Sequence, residues 1–242
     1  MWNYYIESVQ GGKSLVNQDY ISVSERDNTA LAVLCDGMGG ARSGEVASRL
    51  CVKSIVDEYL EEYNPAYSGE WLKELVQEAN RFVHDYSIIH TKCSGMGTTS
   101  VVLLITEDRG FIANVGDSRL YRFQDKKFKQ ITEDDSMIWA YYKQGKLKKE
   151  QLVKHPSGHV LTKAIGLERM IDFKIQKITL GKKELFLLCS DGLTDFVTDK
   201  VISTIITENE SLEKITKELI NKALNEGSND DISIILLSND MK

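Results

Sequence analysis

Apolar residues in this chain fall into two kinds of pattern. The first is the short unbroken run: LAVLC at Leu31–Cys35, VVLLI at Val101–Ile105, LFLLC at Leu185–Cys189 and ISIILL at Ile232–Leu237. A run of this length closed by turn-forming or polar residues reads as a buried strand. Looser strand-like segments are read at Trp2–Val9, Tyr20–Val23, Gly110–Val115, Arg119–Phe123 and Lys127–Ile131, and Ile171–Ile178 alternates as a half-buried strand does. The second pattern is helical spacing. Ala47, Leu50, Cys51, Ile55 and Tyr59 follow Ser43, which is placed to cap a helix, with Glu45 in its first turn. Leu72, Leu75, Val76, Ala79, Phe82, Val83 and Tyr86 follow Ser68 as a second cap, and both stripes are assigned to the core. Two more helices are predicted, one from about Thr198 and one from Ser211 carrying Leu212, Ile215, Leu219, Ala223 and Leu224 to a stop near Gly227.

The order is strands, two helices, strands, a polar stretch, strands, two helices, one strand. Neighbouring strands mostly lack helical crossovers, which predicts antiparallel sheets with helices outside them, an α+β arrangement. The polar stretch, Thr132 to Gly166, is mixed in sign and holds only a short helix near Met137–Gln144. A loop-rich excursion of that length points to a functional flap beside a site.

At 242 residues the chain is long enough for one substantial domain, residues 1–242. The net charge of −6 argues against a nucleic-acid partner, which calls for a basic excess. No apolar run approaches the roughly 18 residues that span a bilayer, and MWNYYIESVQ lacks the basic and apolar regions of a signal peptide. Cys35, Cys51, Cys93 and Cys189 form no CxxC pair, which removes zinc and thioredoxin-like readings. A reduced, cytoplasmic protein is the expectation.

Chemistry enters where the strands end. Leu31–Cys35 runs into Asp36-Gly37 and LFLLC into Ser190-Asp191-Gly192. IANVGD ends on Asp117, Asn229-Asp230-Asp231 opens the last apolar run, and Asn17-Gln18-Asp19 opens YISV. One Asp-Gly is an ordinary hairpin turn. Repeated carboxylates at strand ends converge if the strands share a sandwich, and converging carboxylates repel unless protonated or bound to cations. Carboxylate oxygens suit hard cations such as Mg or Mn. The sequence therefore predicts a cluster of two or more divalent metals. The glycine-rich turn Ser94–Thr99 lacks the spacing and lysine of a phosphate-binding P-loop and is read as close backbone packing near the site. His84, His90, His155 and His159 carry no ligand spacing and are read as structural or solvated.

These stretches together resemble the type 2C (PPM) metal-dependent protein phosphatases, in a bacterial-like minimal form. The matching segments are NQD at Asn17–Asp19, DGMGG at Asp36–Gly40 with GEVAS at Gly44–Ser48, GMGTT at Gly95–Thr99 and NVGDSRLYR at Asn114–Arg122. ITEDDS at Ile131–Ser136, LCSDGLTD at Leu188–Asp195 and GSNDDIS at Gly227–Ser233 complete the set, in family order across nearly the whole chain. The resemblance implies a four-layer α-β-β-α sandwich, two antiparallel sheets flanked by helices. It implies hydrolysis of phosphoserine and phosphothreonine monoesters in proteins by a metal-activated water, with Asp36, Asp191 and Asp230 as the catalytic carboxylates. In that scheme Asp36 bridges two divalent cations (Mn or Mg), the Gly37 carbonyl binds one, Asp191 and Asp230 hold the other, and Asp19 contacts a metal-bound water. Asp117 with Asp191 forms a third metal position. Asp231 replaces the usual asparagine and is read as a turn carboxylate.

Departures from the family pattern matter for phosphate binding. Many members carry an arginine five positions before the Asp19 equivalent; here that position is Ser14, beside Lys13. Lysine offers a point charge, not a bidentate fork. Lys13, Ser14 and Arg119 are the phosphate-binding candidates, with Arg42 as another, and an ion-pair role is open for Arg119. Gln18 stands where some relatives have glutamate, Asp135 replaces a frequent histidine, and Met38 stands where some have a proton-donating histidine. The expected partners are phosphoprotein substrates and a cognate Ser/Thr kinase, with no nucleic acid and no membrane, and the chain is expected to be a monomer. Ser14 alone supports the rival reading, a pseudophosphatase that binds a phosphoprotein without turnover.

Overall fold

The unbroken apolar runs form central strands of two antiparallel sheets because both faces of each run are covered. A computed structural model of the protein describes residues 2–12, 15–38, 43–62, 68–148, 151–152, 155, 157 and 160–241. Its elements are β1 (Asn3–Val9), β2 (Asp19–Arg26), β3 (Thr29–Met38), α1 (Gly44–Glu62), α2 (Ser68–Ile89), β4 (Gly97–Thr98), β5 (Ser100–Ile105) and β6 (Arg109–Val115). There follow β7 (Arg119–Gln124), β8 (Lys127–Gln130), α3 (Met137–Lys143), β9 (Gln176–Thr179), β10 (Leu185–Cys189), α4 (Asp191–Thr194), α5 (Asp199–Glu208), α6 (Leu212–Asn225) and β11 (Ile232–Ser238). One sheet has the order β1-β11-β10-β7-β8; the other has β2-β3-β5-β6-β9, with β4 paired to the end of β3.

Side-chain alternation separates three apolar layers. In β3, Ala30, Ala32 and Leu34 face the second sheet, meeting Phe186 and Leu188 of β10 and Ile235 and Leu237 of β11. The intervening Leu31, Val33 and Cys35 face α1 and α2, packing with Ile55, Leu72 and Val83. On the other side, Leu187, Cys189 and Ile234 pack against Ile205, Ile215 and Leu219 of α5 and α6. A strand covered on both faces has no polar positions to alternate, and hence reads as a continuous run. The α+β sandwich expected from element order and from the family resemblance is the observed fold.

Several local expectations differ from what forms. Only Gln176–Thr179 of the Ile171–Ile178 stretch is a strand, paired with β6. Phe173 is buried in the helix-covered core, with Ile171 and Ile175 partly buried against it, and none of the three has a strand partner. Ser43 precedes α1 with φ +78°, and its hydroxyl donates to the Lys92 carbonyl (3.2 Å) instead of capping the helix. Ser68 is the first residue of α2, not a residue before it. Phe82, assigned to the core, is half exposed, as is Leu224. The strand at Tyr20–Val23 extends to Asp19–Arg26. The single-turn α4, which begins on Asp191, has no counterpart in the sequence reading.

The four cysteines are buried free thiols. No helix among the described residues is long and apolar enough to cross a membrane. In the flap, Ser136 caps α3 by accepting the Trp139 N–H (3.3 Å), and Ile138, Trp139 and Leu152 form a small apolar cluster of their own. Its two ends return to the sandwich: Asp135 N–H donates to the Gly116 carbonyl (2.8 Å), and Ile165 bridges Thr98.

Candidate active site

One end of the sandwich gathers the strand-end carboxylates. The β2–β3 pairing sets Asp19, the first residue of β2, directly opposite Asp36. Residues so placed in an antiparallel pair have Cβ atoms about 5 Å apart, and like charges there are destabilising. The Asp36 peptide is clamped on both sides. Its N–H donates to Thr99 Oγ1 (2.9 Å), and its carbonyl accepts from the Thr99 N–H (2.8 Å) and Thr98 Oγ1 (2.8 Å). Beyond it, Gly37 donates its N–H to the Gln18 carbonyl (3.0 Å). A Cβ on Gly37 would fall 2.2 Å from the Gly44 carbonyl oxygen, so the close turn into α1 requires glycine.

The other sheet supplies the rest. Asp191 opens α4 at the end of β10, and Gly192 lies so close to the Asp231 carbonyl that a Cβ would sit 2.1 Å from its oxygen. This packs the Asp191 turn onto the Asp230-Asp231 segment. Asp231 itself points away to the N-terminal loop: Oδ1 accepts the Gly11 N–H (2.8 Å) and Oδ2 the Gln18 N–H (2.7 Å). That is the turn role expected of it. Asp117 follows Gly116, whose φ of +100° and contact with the Thr99 side chain exclude a Cβ. Ser118 Oγ meets Thr99 Oγ1 at 2.7 Å, joining the Asp117 turn to the strand segment that clamps Asp36.

The electrostatics follow from this crowding. Asp36 is pushed well above the usual carboxylate range by burial, then by the charges of Asp19, Asp191, Asp117 and Asp230. Asp117 is raised by burial and by Asp191, Asp134 and Asp195, against the lowering effect of Arg119. Asp19 is pushed up to about 7, chiefly by burial; the Ser233 and Ser190 hydroxyls oppose this, and Asp191 and Asp231 add to it. Asp19 Oδ2 accepts from Ser190 Oγ (2.8 Å), while Oδ1 is buried with no hydrogen-bond partner. A buried carboxylate oxygen without a donor, facing a ring of like charge, calls for a cation.

The donor set suits a hard, partly hydrated ion. Among the described residues no three carboxylate, imidazole or thiol groups close into a ready-made all-protein cage. Mg-type ions keep several waters and are held by one or two carboxylates each. Carboxylates of Asp19, Asp36, Asp117, Asp191 and Asp230, with the Gly37 carbonyl, offer oxygens of that kind.

Arg119 is buried and forks onto Asp134, with Nε 3.0 Å from both carboxylate oxygens and Nη2 2.7 Å from Oδ2, while Nη1 donates to Tyr121 OH (3.2 Å). These bonds give Arg119 the ion-pair role left open for it, holding β7 to the flap's base. Lys13, Ser14 and Arg42, along with His159, lie outside the described residues. His84 Nδ1 lies 3.1 Å from Asp85, His90 stacks on Tyr86 (4.0 Å between ring centroids), and His155 Nδ1 accepts the Ser157 N–H; none of these contacts involves the carboxylate cluster. Thr98, Thr99 and Ser190, whose hydroxyls orient the carboxylates, were not singled out by the sequence. Each lies within a motif that carries the resemblance, and Thr98 and Thr99 also close the glycine-rich turn read as packing near the site.

Comparison with known proteins meets the same picture. The family model described as Protein phosphatase 2C matches residues 11–236. The serine/threonine phosphatase stp of Listeria monocytogenes serotype 4b (strain F2365) is 33% identical over 229 residues, covering 93% of this chain and 91% of that protein. The crystal structure of the serine/threonine phosphatase Stp1 from Staphylococcus aureus superposes with a TM-score of 0.92 at 30% identity, covering 98% of this chain and 95% of that one. The catalytic domain of the serine threonine protein phosphatase PstP, solved in complex with two manganese ions, gives a TM-score of 0.86 at 26% identity, covering 98% and 97%.

Proposed function

We infer the chemistry of this chain from one premise: it belongs to the protein phosphatase 2C family and is a metal-dependent protein serine/threonine phosphatase. The pseudophosphatase alternative is not favoured beside it. The residues proposed to hold two divalent cations, Mn or Mg, are Asp36, Asp191 and Asp230 with the Gly37 carbonyl, with Asp19 in support across the β2–β3 pair. Asp117 and Asp191 are the proposed pair for a third position. When bound, the cations supply Lewis acidity that makes a water nucleophilic near neutral pH and offsets charge on the phosphoryl oxygens.

The chain's own residues have three tasks in this reading. Thr98 and Thr99 fix the Asp36 backbone, so its carboxylate is presented at one place. Burial, reinforced by the neighbouring carboxylates, raises the Asp19 and Asp36 pKa values and favours cation uptake. Met38, half-buried at the end of β3, has no proton to give the leaving alkoxide, so that proton comes from water. No serine or cysteine nucleophile is needed. With Arg119 committed to Asp134, the phosphate-gripping cation is assigned to the Gly12–Asn17 loop or Arg42.

The observation that carries this reading is Asp19 opposite Asp36 with Oδ1 buried and unpartnered. Substrates are proposed to be phosphoserine and phosphothreonine proteins, opposing a cytoplasmic Ser/Thr kinase, and the whole chain is proposed to act as one monomeric catalytic domain. The test is dephosphorylation of a phosphothreonine peptide with Mn, Mg or EDTA. Turnover that needs the metal and disappears in Asp36→Asn is expected; full metal-dependent activity in Asp36→Asn would sink the mechanism.

A further inference from the structure

Ser190 sits at the junction of the two sheets. It follows β10 in one sheet, and its hydroxyl reaches Asp19 of β2 in the other. The side chain is completely buried. Its Oγ accepts the Ser233 N–H at 3.0 Å, while the Ser190 N–H donates to the Ser233 carbonyl at 3.1 Å. A serine hydroxyl has one proton. With a backbone N–H already arriving at the oxygen, that proton has two acceptors within reach: Asp19 Oδ2 at 2.8 Å and the Asp231 carbonyl at 3.4 Å. The short, charge-assisted bond to the carboxylate is the stronger. It occupies Oδ2 and leaves Oδ1, the buried oxygen with no partner, for the carboxylate cluster.

We propose that Ser190 is a positioning residue of the cation site: its hydroxyl locks the Asp19 carboxylate so that Oδ1 alone is presented to the bound metal ions. The proposal rests on Asp19 belonging to that site. The geometry gives the lock a direction, because two hydrogen bonds just beyond the β10–β11 pairing hold Ser190 against Ser233 and so fix where its proton points. Asp19 is thereby held from the opposite sheet, where the Ser233 hydroxyl also favours its charged form. Neighbours that orient a metal-binding carboxylate typically contribute about 10–100-fold to metal affinity.

The test is a calorimetric titration of the whole protein with Mn, beside thermal melting in EDTA and the Mn dependence of phosphopeptide turnover. Ser190→Ala is expected to weaken Mn binding by about 10–100-fold, with half-saturating Mn raised in the assay and turnover at saturating Mn largely retained. Ser238→Ala is the matched control. Ser238 is a buried hydroxyl at the far end of β11 that donates to the Glu184 carbonyl and accepts the Asp240 and Met241 N–H groups. It is expected to lower the melting temperature and leave Mn affinity alone. Ser190→Cys, close in size but a weak donor, is expected to weaken Mn binding too and serves if the alanine variant does not fold. Wild-type Mn affinity in Ser190→Ala or Ser190→Cys overturns the proposal, as does an equal loss in Ser238→Ala. Asp19→Ala separates the two readings: if it binds Mn like wild type, Asp19 is not in the cation site and the premise itself fails.

Discussion

Asp19 and Asp36 face each other across the β2–β3 pairing, and Asp19 Oδ1 has no hydrogen-bond partner there. Two carboxylates opposed in this way work against the fold unless protons or cations intervene. The strain is local, so it should be visible in how metal-free stability responds to pH.

The sign is unusual for a carboxylate. Asp19 is held up to about 7 in the folded protein, against an ordinary 3.8, chiefly by burial. A group whose folded pKa is raised favours the fold in its protonated form, fully so below its unfolded pKa, and that contribution is lost as pH rises through the folded value. Asp36 and Asp117 shift in the same direction. In EDTA the melting temperature is therefore expected to rise by several degrees when pH is lowered from 8 to about 5.5. Saturating Mn should remove that trend. A metal-free protein that loses stability steadily over the same interval would contradict the account.

Thr99 ties Asp36 to the Asp117 turn through one hydroxyl, which accepts the Asp36 N–H and meets Ser118 Oγ. Thr99→Val keeps the shape and leaves a buried N–H without an acceptor, a cost of about 1–3 kcal/mol. A lower melting temperature together with weaker Mn activation is expected, and Thr99→Ser should restore most of both. Loss of stability with unchanged Mn activation would confine Thr99 to a structural role.

Much of this was legible along the chain, for a physical reason. Leu31–Cys35 and Ile232–Leu237 lie between a helix layer and the opposite sheet, so burial on both faces wrote itself as unbroken apolar runs. Asp36, Asp117, Asp191 and Asp230 were legible as carboxylates where those runs start or stop. What escaped is what depends on partners far away in sequence. Arg119 looked like a phosphate ligand because nothing local marks Asp134, across the β7–β8 hairpin, as its partner. Ser190 and Thr99 looked like ordinary small polar residues until their acceptors came into place. Ile171, Phe173 and Ile175 alternated like a strand because alternate side chains pack into the helix-covered core, but no neighbouring strand pairs with them.

The Arg119 ion pair has its own test. Asp134 is almost wholly buried and accepts from Arg119 and from Gln130 Nε2 (2.9 Å). Removing the guanidinium leaves a buried charge uncompensated, which costs about 3–5 kcal/mol. Arg119→Ala is expected to melt far below wild type, and Arg119→Lys to recover only part, since lysine cannot fork. A normal melting temperature combined with a raised KM for phosphopeptide would return Arg119 to the phosphate site.

Phosphate gripping is then proposed for the loop before β2, two residues of which Asp231 ties down. Its two carboxylate oxygens hold the Gly11 and Gln18 N–H groups at 2.8 and 2.7 Å, beside Asp230. In the sequence Ser14 falls between Gly11 and Gln18, five positions before Asp19. Serine has no charged fork, whereas an arginine there brings two parallel donors suited to a phosphate monoester. A hydrogen bond to a charged group contributes about 1.5–3 kcal/mol, and tenfold in affinity corresponds to about 1.4 kcal/mol. Ser14→Arg is therefore expected to lower the phosphopeptide KM by about tenfold with little change in Mn affinity. In an Asp231→Ala background, where the loop is no longer pinned, the same arginine should give much less. Equal gains in both backgrounds would mean that the loop's anchoring does not matter, and no gain in either would place the phosphate-binding cation elsewhere, with Arg42 the next residue to replace.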